Sequence, residues 1–291
     1  MNVQEKIYYL FFSEKTQEKT ERFILYIALL SFIIHLILIY LSKFNLIDIL
    51  TESDFLKNPI SAIYTPFSFI LIYEVYLLIY YLPRSFTTYI TKQYEIITLI
   101  IIRKLFKDLS VLELTNNWFE IKDDLQFTYD ILAAIILFYL IYKFQKEGKR
   151  KPNKKIKNEE NIERFIIRKK IIAIILVPLF FIIALITLFN WTTELSFTSN
   201  ELPSFKTINN LFFDEFFTIL ILVDVVLLLI SFFYTDKFHK IIRNSGFVVS
   251  TILIRISFGV SGLISTLLII FAVLFGLIII IIHNKYEKNI N

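Results

Sequence analysis

The sequence predicts an all-α integral membrane protein with eight transmembrane helices, arranged as two parallel four-helix repeats. Two observations indicate the membrane class. Of the 291 residues, 56% are hydrophobic, whereas ordinary soluble domains have about 45–50% apolar residues, and the mean hydropathy is +0.64. A third observation, a set of short matches between the two halves of the chain, indicates the repeat. The chain has no Cys, which excludes disulfides, thiolate metal sites and Cys nucleophiles.

Apolar stretches predict the helices, because about 20 apolar residues cross the roughly 30 Å hydrocarbon layer of a bilayer. The stretch 87–107 is less apolar, since it contains five charged residues and leaves at most seven consecutive uncharged residues between Lys92 and Lys107. The stretch 247–282 would be about 54 Å long as a single helix, so we predict two helices joined by a tight turn at 259–262. The predicted helices are 23–41, 60–82, 87–107, 125–143, 168–191, 213–234, 245–260 and 263–283.

Three sequence matches indicate an internal duplication. ERFI occurs at 21–24 and again at 163–166, EVYLL at 74–78 resembles DVVLL at 224–228, and IIIR at 100–103 resembles ILIR at 252–255. The matches occur in the same order, and two of them place an acid and an Arg alike. Four helices per half is an even number, so the halves run parallel. We therefore divide the chain into a first half (1–146), a basic linker (147–170) and a second half (171–291).

The distribution of positive charge predicts the orientation. If the N-terminus lies inside, the inner segments hold 23 of the 31 Lys and Arg residues, which is the asymmetry typical of cytoplasmic loops. We expect a multi-pass protein of the cell membrane with both termini in the cytoplasm. The segment 143–170 holds twelve of these basic residues and is expected to contact anionic lipid headgroups. Nucleic-acid binding is not expected, because aromatic rings for stacking occur only near the ends of this segment.

Four charged residues lie within the predicted spans. They are Glu74, Arg103, Asp224 and Arg255. A charge at the centre of a bilayer costs about 2.5–3.5 kcal/mol on insertion scales, so these side chains are expected to face protein, water or one another. Residues equidistant from the turn of an antiparallel hairpin lie at equal depth, which predicts the ion pairs Glu74–Arg103 and Asp224–Arg255. Such pairs either fix how the helices dock or line a polar route, and both interpretations stay open.

One face of the third predicted helix carries a polar stripe. Its charged residues follow helical spacing and share that face with Arg103. They are Arg84, Lys92, Glu95 and Lys107. We expect this stripe to face a crevice or another subunit. In the first predicted helix, His35 is a candidate proton relay, although a hydrogen-bonded packing role is more common for a single His.

The sequence contains no P-loop, no His/Glu metal-binding spacing and no Gly-x-Ser-x-Gly motif. We therefore expect no enzyme, no catalytic residues, no metal and no cofactor. The leading hypothesis is an ion-conducting channel or a small-solute transporter with a polar intramembrane route. The alternative is a non-transporting membrane-anchored subunit or sensor of a larger complex. A homo-oligomer or a partner membrane subunit is compatible with both. A membrane-embedded enzyme that acts on lipid is least favoured, because His, Asp and Ser do not cluster.

Overall fold

The structure, a computed structural model, describes residues 3–44, 59–109, 122–149, 159–197, 205–235, 237–260 and 262–290. These residues form helices joined by short turns, with no strand among them, so the predicted all-α class is confirmed for this part of the chain. A short 3-10 helix, Pro59–Ile63, precedes the third α-helix. The α-helices are α1 (Val3–Phe12), α2 (Glu14–Lys43), α3 (Tyr64–Tyr81), α4 (Phe86–Leu109), α5 (Lys122–Gly148), α6 (Glu159–Phe197), α7 (Phe205–Phe232), α8 (Phe238–Phe258) and α9 (Leu263–Ile290).

Five helical segments of the described part are long and apolar enough to cross a membrane. They are Glu5–Lys43, Leu125–Gly148, Glu215–Phe232, Phe238–Phe258 and Leu263–Asn289. In α3, the segment Thr65–Tyr81 is a shorter apolar helix. The described parts of α4 and α6 are helical but do not meet the same length and composition. The fold is therefore compatible with a membrane protein, while eight spans and a repeated architecture stay predictions.

The long apolar stretch near the C-terminus consists of two helices, as predicted. The first of them, α8, ends at Phe258, and α9 begins at Leu263. In the turn between them, Gly262 has a φ of 77°, a left-handed conformation that glycine adopts at little cost. The predicted start of α8 at residue 245 was wrong, since α8 begins at Phe238. Its first two turns are polar, so hydropathy placed the start too late.

The helices pack in an order that joins the two predicted halves. Consecutive helices are neighbours from α2 to α5 and again from α6 to α9. Between the halves, α5 packs on α9, α4 on α8 and α3 on α6. The buried ring of Phe144 contacts those of Tyr94 and Phe247, with ring centroids 5.0 and 5.5 Å apart. The most deeply buried aromatic cluster therefore lies where α4, α5 and α8 meet.

A glycine in α9 allows α4 to approach closely. A Cβ atom added at Gly276 would lie 1.9 Å from the Tyr94 hydroxyl oxygen. That hydroxyl is 2.6 Å from Ser250 Oγ, and Ser250 donates its own proton to the Ala272 carbonyl at 2.6 Å. Tyr94 is therefore the donor to Ser250. Small residues permit this kind of close helix contact, which here fastens α4, α8 and α9 together.

Large apolar side chains cover the outer surfaces of α2 and α5. On α2, Tyr26 is 72% exposed, and on α5, Phe138 is 75% exposed. The buried residues of α2 are Ala28 and Ile39, so most of its apolar surface has no protein cover. Soluble monomers rarely expose contiguous apolar surface of this kind, and contact with lipid would cover it.

Candidate functional site

A buried ion pair joins α3 to α4. Arg103 Nη2 donates to Glu74 Oε2 at 2.6 Å, and these residues are 6% and 2% exposed. The structure thus brings together Glu74 and Arg103, the pair that was predicted because both residues lie at equal depth in the hairpin. A charge-assisted hydrogen bond of this length is among the stronger contacts that a buried carboxylate makes. It compensates much of the cost of burying the two charges.

Asp224 of α7 has different partners from those predicted. Its Oδ2 accepts a hydrogen bond from Gln93 Nε2 at 3.0 Å and lies 3.3 Å from Thr251 Oγ1. The predicted ion pair between Asp224 and Arg255 is not among the contacts of the described residues. The reason is geometric: α8 begins earlier than predicted, so the residue at the depth of Asp224 lies one helical turn before Arg255. That residue is Thr251.

Tyr89 of α4 also faces Asp224. Both side chains are buried, with exposures of 0% and 2%, and the Tyr89 hydroxyl lies within electrostatic reach of the carboxylate. Among the described residues, however, neither Tyr89 Oη nor Asp224 Oδ1 has a partner in hydrogen-bond geometry. Buried polar atoms are nearly always satisfied in proteins, and the Tyr89 hydroxyl is close enough to Asp224 that a small shift of either side chain would join the two oxygens.

Lys169 of α6 is a buried cation near the same carboxylate. It is 1% exposed, and its Nζ donates to the Arg84 carbonyl oxygen at 2.8 Å. Its amine lies over the rings of Phe86 and Phe165, 4.6 and 5.1 Å from their centroids, a cation–π arrangement. Asp224 is close enough for a favourable electrostatic interaction with Lys169. The sequence analysis places Lys169 in the basic linker and gives it no role within the protein.

A small cavity lies beside Asp224. Its polar lining comes from Gln93, Asp224, Thr251 and Arg255, and the other lining residues are apolar. The cavity has a volume of about 10 Å³, which is room for about one water molecule. Side chains from both predicted halves therefore share one partly enclosed space.

Asp130 of α5 is a third buried carboxylate, and the sequence analysis did not single it out. Its Oδ2 lies 2.8 Å from Lys104 Nζ. Its Oδ1 accepts hydrogen bonds from Gln126 Nε2 at 2.8 Å and from Thr266 Oγ1 at 2.9 Å. The available signal was the same as for Glu74, an acid in an otherwise apolar stretch.

The polar stripe of α4 packs in part against other helices of the same chain. Lys92 Nζ lies 2.6 Å from Glu95 Oε2 and 5.0 Å from the centre of the Tyr81 ring. From α5, Gln145 Nε2 donates to Glu95 Oε1 at 2.6 Å. The side chains of Lys92 and Glu95 are each 29% exposed. This part of the stripe thus has partners on α3 and α5.

The side chains of Arg84 and His35 have other surroundings. Arg84 lines an open pocket of about 480 Å³ between the start of α2 and the α3–α4 turn. His35 is hydrogen-bonded through Nδ1 to Thr65 Oγ1, which links α2 to α3. The side chain of Lys107 lies outside the described residues.

Two histidines that are far apart in sequence meet where α8 begins and α9 ends. His239 Nδ1 lies 3.1 Å from His283 Nδ1, and the rings stack with centroids 4.9 Å apart. Arg243 Nη1 lies 3.2 Å from His283 Nε2 and donates to it. The described residues contain no group of three or more His, Cys, Asp or Glu that is placed to hold a metal ion.

No family model matches the chain, and no curated protein or solved structure matches it either. The geometry alone therefore defines the candidate site. It is a buried carboxylate, Asp224, whose hydrogen-bonding neighbours come from both predicted halves of the chain.

Proposed function

We propose that the protein is an integral membrane transport protein that moves an ion or a small solute along a polar route between its two halves. The observation that supports this most directly is the contact of Asp224 with Gln93. It joins the second half to the first half through a buried carboxylate, one oxygen of which has no partner in hydrogen-bond geometry among the described residues. Ionisable side chains within a membrane are costly and commonly mark ion or substrate pathways. The proposal includes no catalytic activity and no cofactor.

The proposal includes eight spans in two parallel halves, both termini in the cytoplasm and a location in the cell membrane. The contacts of α4 with α8 and of α5 with α9 support it, because two parallel repeats related by a two-fold axis along the membrane normal place equivalent helices in contact. The basic linker then lies at the cytoplasmic surface, where anionic headgroups attract Lys and Arg. A homo-oligomer or a partner subunit is compatible with this arrangement.

Cysteine labelling at the two ends of α8 tests the orientation, and the chain has no native Cys to interfere. Lys237 and Val260 flank this candidate span and are both exposed. With a membrane-impermeant maleimide on intact cells, we expect Val260→Cys to react and Lys237→Cys to react only after permeabilisation. If both positions react from the same side, α8 does not cross the membrane. Labelling of Lys237→Cys alone would show that α8 has the opposite orientation in the membrane.

Ion and solute flux in reconstituted liposomes tests transport. We expect the wild-type protein to give flux, and we expect Asp224→Asn to reduce it by at least an order of magnitude, because the buried charge is removed while its shape is kept. The matched control is Glu163→Gln, which changes an exposed carboxylate on α6 and is expected to leave the flux unchanged. Equal flux in wild-type and Asp224→Asn liposomes would show that the route does not include Asp224.

The small size of the cavity at Asp224 favours a second candidate, a non-transporting membrane subunit or sensor. A space for about one water molecule is not an open passage. For this candidate, the wild-type protein gives no flux of any ion tested and co-purifies with a membrane partner in a fixed ratio.

A further inference from the structure

We propose that Asp224 is a proton-binding site, in which Oδ1 takes up a proton and shares it in a hydrogen bond with the Tyr89 hydroxyl. The inference rests on the proposed transport function and names the proton as the transported or coupling ion. An O–H bond forms when a hydronium ion in the adjacent cavity gives up its proton and becomes water. Release returns the proton to a water molecule, so no other reactant is needed.

The three buried carboxylates of the described residues differ in their counter-charges. Glu74 lies 2.6 Å from Arg103 Nη2, and Asp130 lies 2.8 Å from Lys104 Nζ. Among the described residues, no cation lies within ion-pair distance of Asp224, and its hydrogen-bonding neighbours are neutral. Of these three acids, Asp224 is therefore the one whose charge is least compensated by direct contact.

The hydrogen bonds of Asp224 also leave room for a proton. Oδ2 is occupied by Gln93 and is near Thr251, whose single hydroxyl proton is shared with the Val248 carbonyl at 2.9 Å. In the part of the chain that the structure describes, Oδ1 and Tyr89 Oη have no partner in hydrogen-bond geometry. The Tyr89 hydroxyl carries its own proton and can donate it to the ionised Oδ1, so this contact can form in either protonation state. A proton on Oδ1 reverses the direction of the hydrogen bond and removes a buried charge that has no cation in direct contact.

The small number of oxygen ligands near Asp224 favours a proton over a metal cation. Lys169 approaches from α6 and Arg255 lines the cavity from α8, and their charges oppose a bound metal ion and a bound proton alike. Hard cations require several oxygen ligands. The cavity offers few of them, because most of its lining is apolar. The lining residues are Leu78, Gln93, Ile97, Phe217, Leu220, Ile221, Asp224, Thr251, Ile254 and Arg255.

Infrared difference spectroscopy of the purified full-length protein tests the site directly, because a protonated carboxyl group has a C=O stretching band that the carboxylate lacks. As the pH is lowered, we expect this band to appear in the wild-type protein and its main component to be absent from Asp224→Asn. The control is Asp130→Asn, which also removes a buried carboxylate but leaves behind Lys104, whose side chain is 39% exposed. This variant is expected to keep the band.

A second variant keeps the proposal testable if Asp224→Asn does not fold. Lys169→Met keeps the length and apolar stem of the side chain but removes its charge. Loss of a nearby cation disfavours the ionised carboxylate, so the midpoint of the band is expected to move to higher pH. An unchanged midpoint, or a wild-type protein without a titrating band, would overturn the proposal.

The two proposals fail in distinguishable ways. A titrating Asp224 band without proton flux in liposomes leaves the proton site in place and removes the transport function. Flux without the band leaves transport in place and removes the proton site. Addition of Na⁺ at constant pH and ionic strength is expected to leave the band unchanged. Suppression of the band by Na⁺ would assign the site to a metal cation and overturn the proposal.

Discussion

Glu74→Ala is expected to remove most of the folded protein from detergent extracts. The substitution takes away the carboxylate that lies 2.6 Å from Arg103, a residue that is only 6% exposed. Loss of one member of a buried ion pair typically costs about 3–5 kcal/mol, because the other charge loses its compensation. The measurement is the monodisperse fraction in size-exclusion chromatography, together with the midpoint of thermal unfolding. A yield equal to that of the wild type would show that this pair contributes little to stability.

Replacement of both members separates docking from function. Glu74→Leu with Arg103→Met is expected to restore the folded yield, because apolar residues of similar size often replace a buried ion pair without loss. The matched control is Glu95→Gln, which alters the partly exposed ion pair between Lys92 and Glu95 on α4 and is expected to reduce the stability much less. If the double variant is folded and its flux is unchanged, the pair serves packing alone. A folded double variant without flux would place the pair on the transport route.

Gly276→Ala is expected to destabilise the protein although it leaves the charge of the chain unchanged. The new Cβ atom would lie 1.9 Å from the Tyr94 hydroxyl oxygen, and Tyr94 is fully buried and hydrogen-bonded to Ser250. Overpacking of this kind costs about 1–3 kcal/mol, and sometimes more. We therefore expect a clear fall in the thermal unfolding midpoint.

Two further variants check the cause of that effect. Gly259→Ala serves as the control, since the nearest atom to its new Cβ is the Ile256 carbonyl oxygen at 3.5 Å, an ordinary contact. Tyr94→Phe combined with Gly276→Ala is expected to recover part of the lost stability, because the hydroxyl oxygen nearest to the new Cβ atom is removed. The recovery is incomplete because the ring carbon Cζ still lies 3.0 Å from the new atom. If Gly276→Ala and Gly259→Ala have equal midpoints, α4 and α9 do not pack as described.

The all-helical class and the break at 259–262 were predictable because they depend on local properties, namely apolar length and glycine. The contact of Glu74 with Arg103 was predictable from depth in a hairpin, since both residues lie on consecutive helices. The same rule was wrong for Asp224 by one helical turn. The prediction counts depth from the turn between α7 and α8. Because the first residues of α8 are polar, the turn was predicted to end later than it does.

The rest of the site depends on contacts that a sequence pattern does not contain. Gln93 is neutral and lies between Lys92 and Glu95, so a search for charges passes over it, although it donates to Asp224 from the other half of the chain. Lys169 is buried although it belongs to a basic run. The fit of Tyr94 against Gly276 requires knowledge of which helices are neighbours, and α4 and α9 are far apart in sequence.

The contrast between α2 and α4 has a consequence for how the chain is made. Most side chains of α2 need only lipid as a partner, so this segment can leave the translocon and be stable in the bilayer by itself, as the first step of a two-step assembly. In contrast, α4 carries Lys92, Glu95 and Arg103, whose central positions oppose insertion of an isolated helix. Its partners include Asp224 and Ser250, which are synthesised more than a hundred residues later. On the proposed topology, α4 can pair its charges with α3 and α5 early, but it completes its contacts with Asp224 and Ser250 only after the second half of the chain has been synthesised.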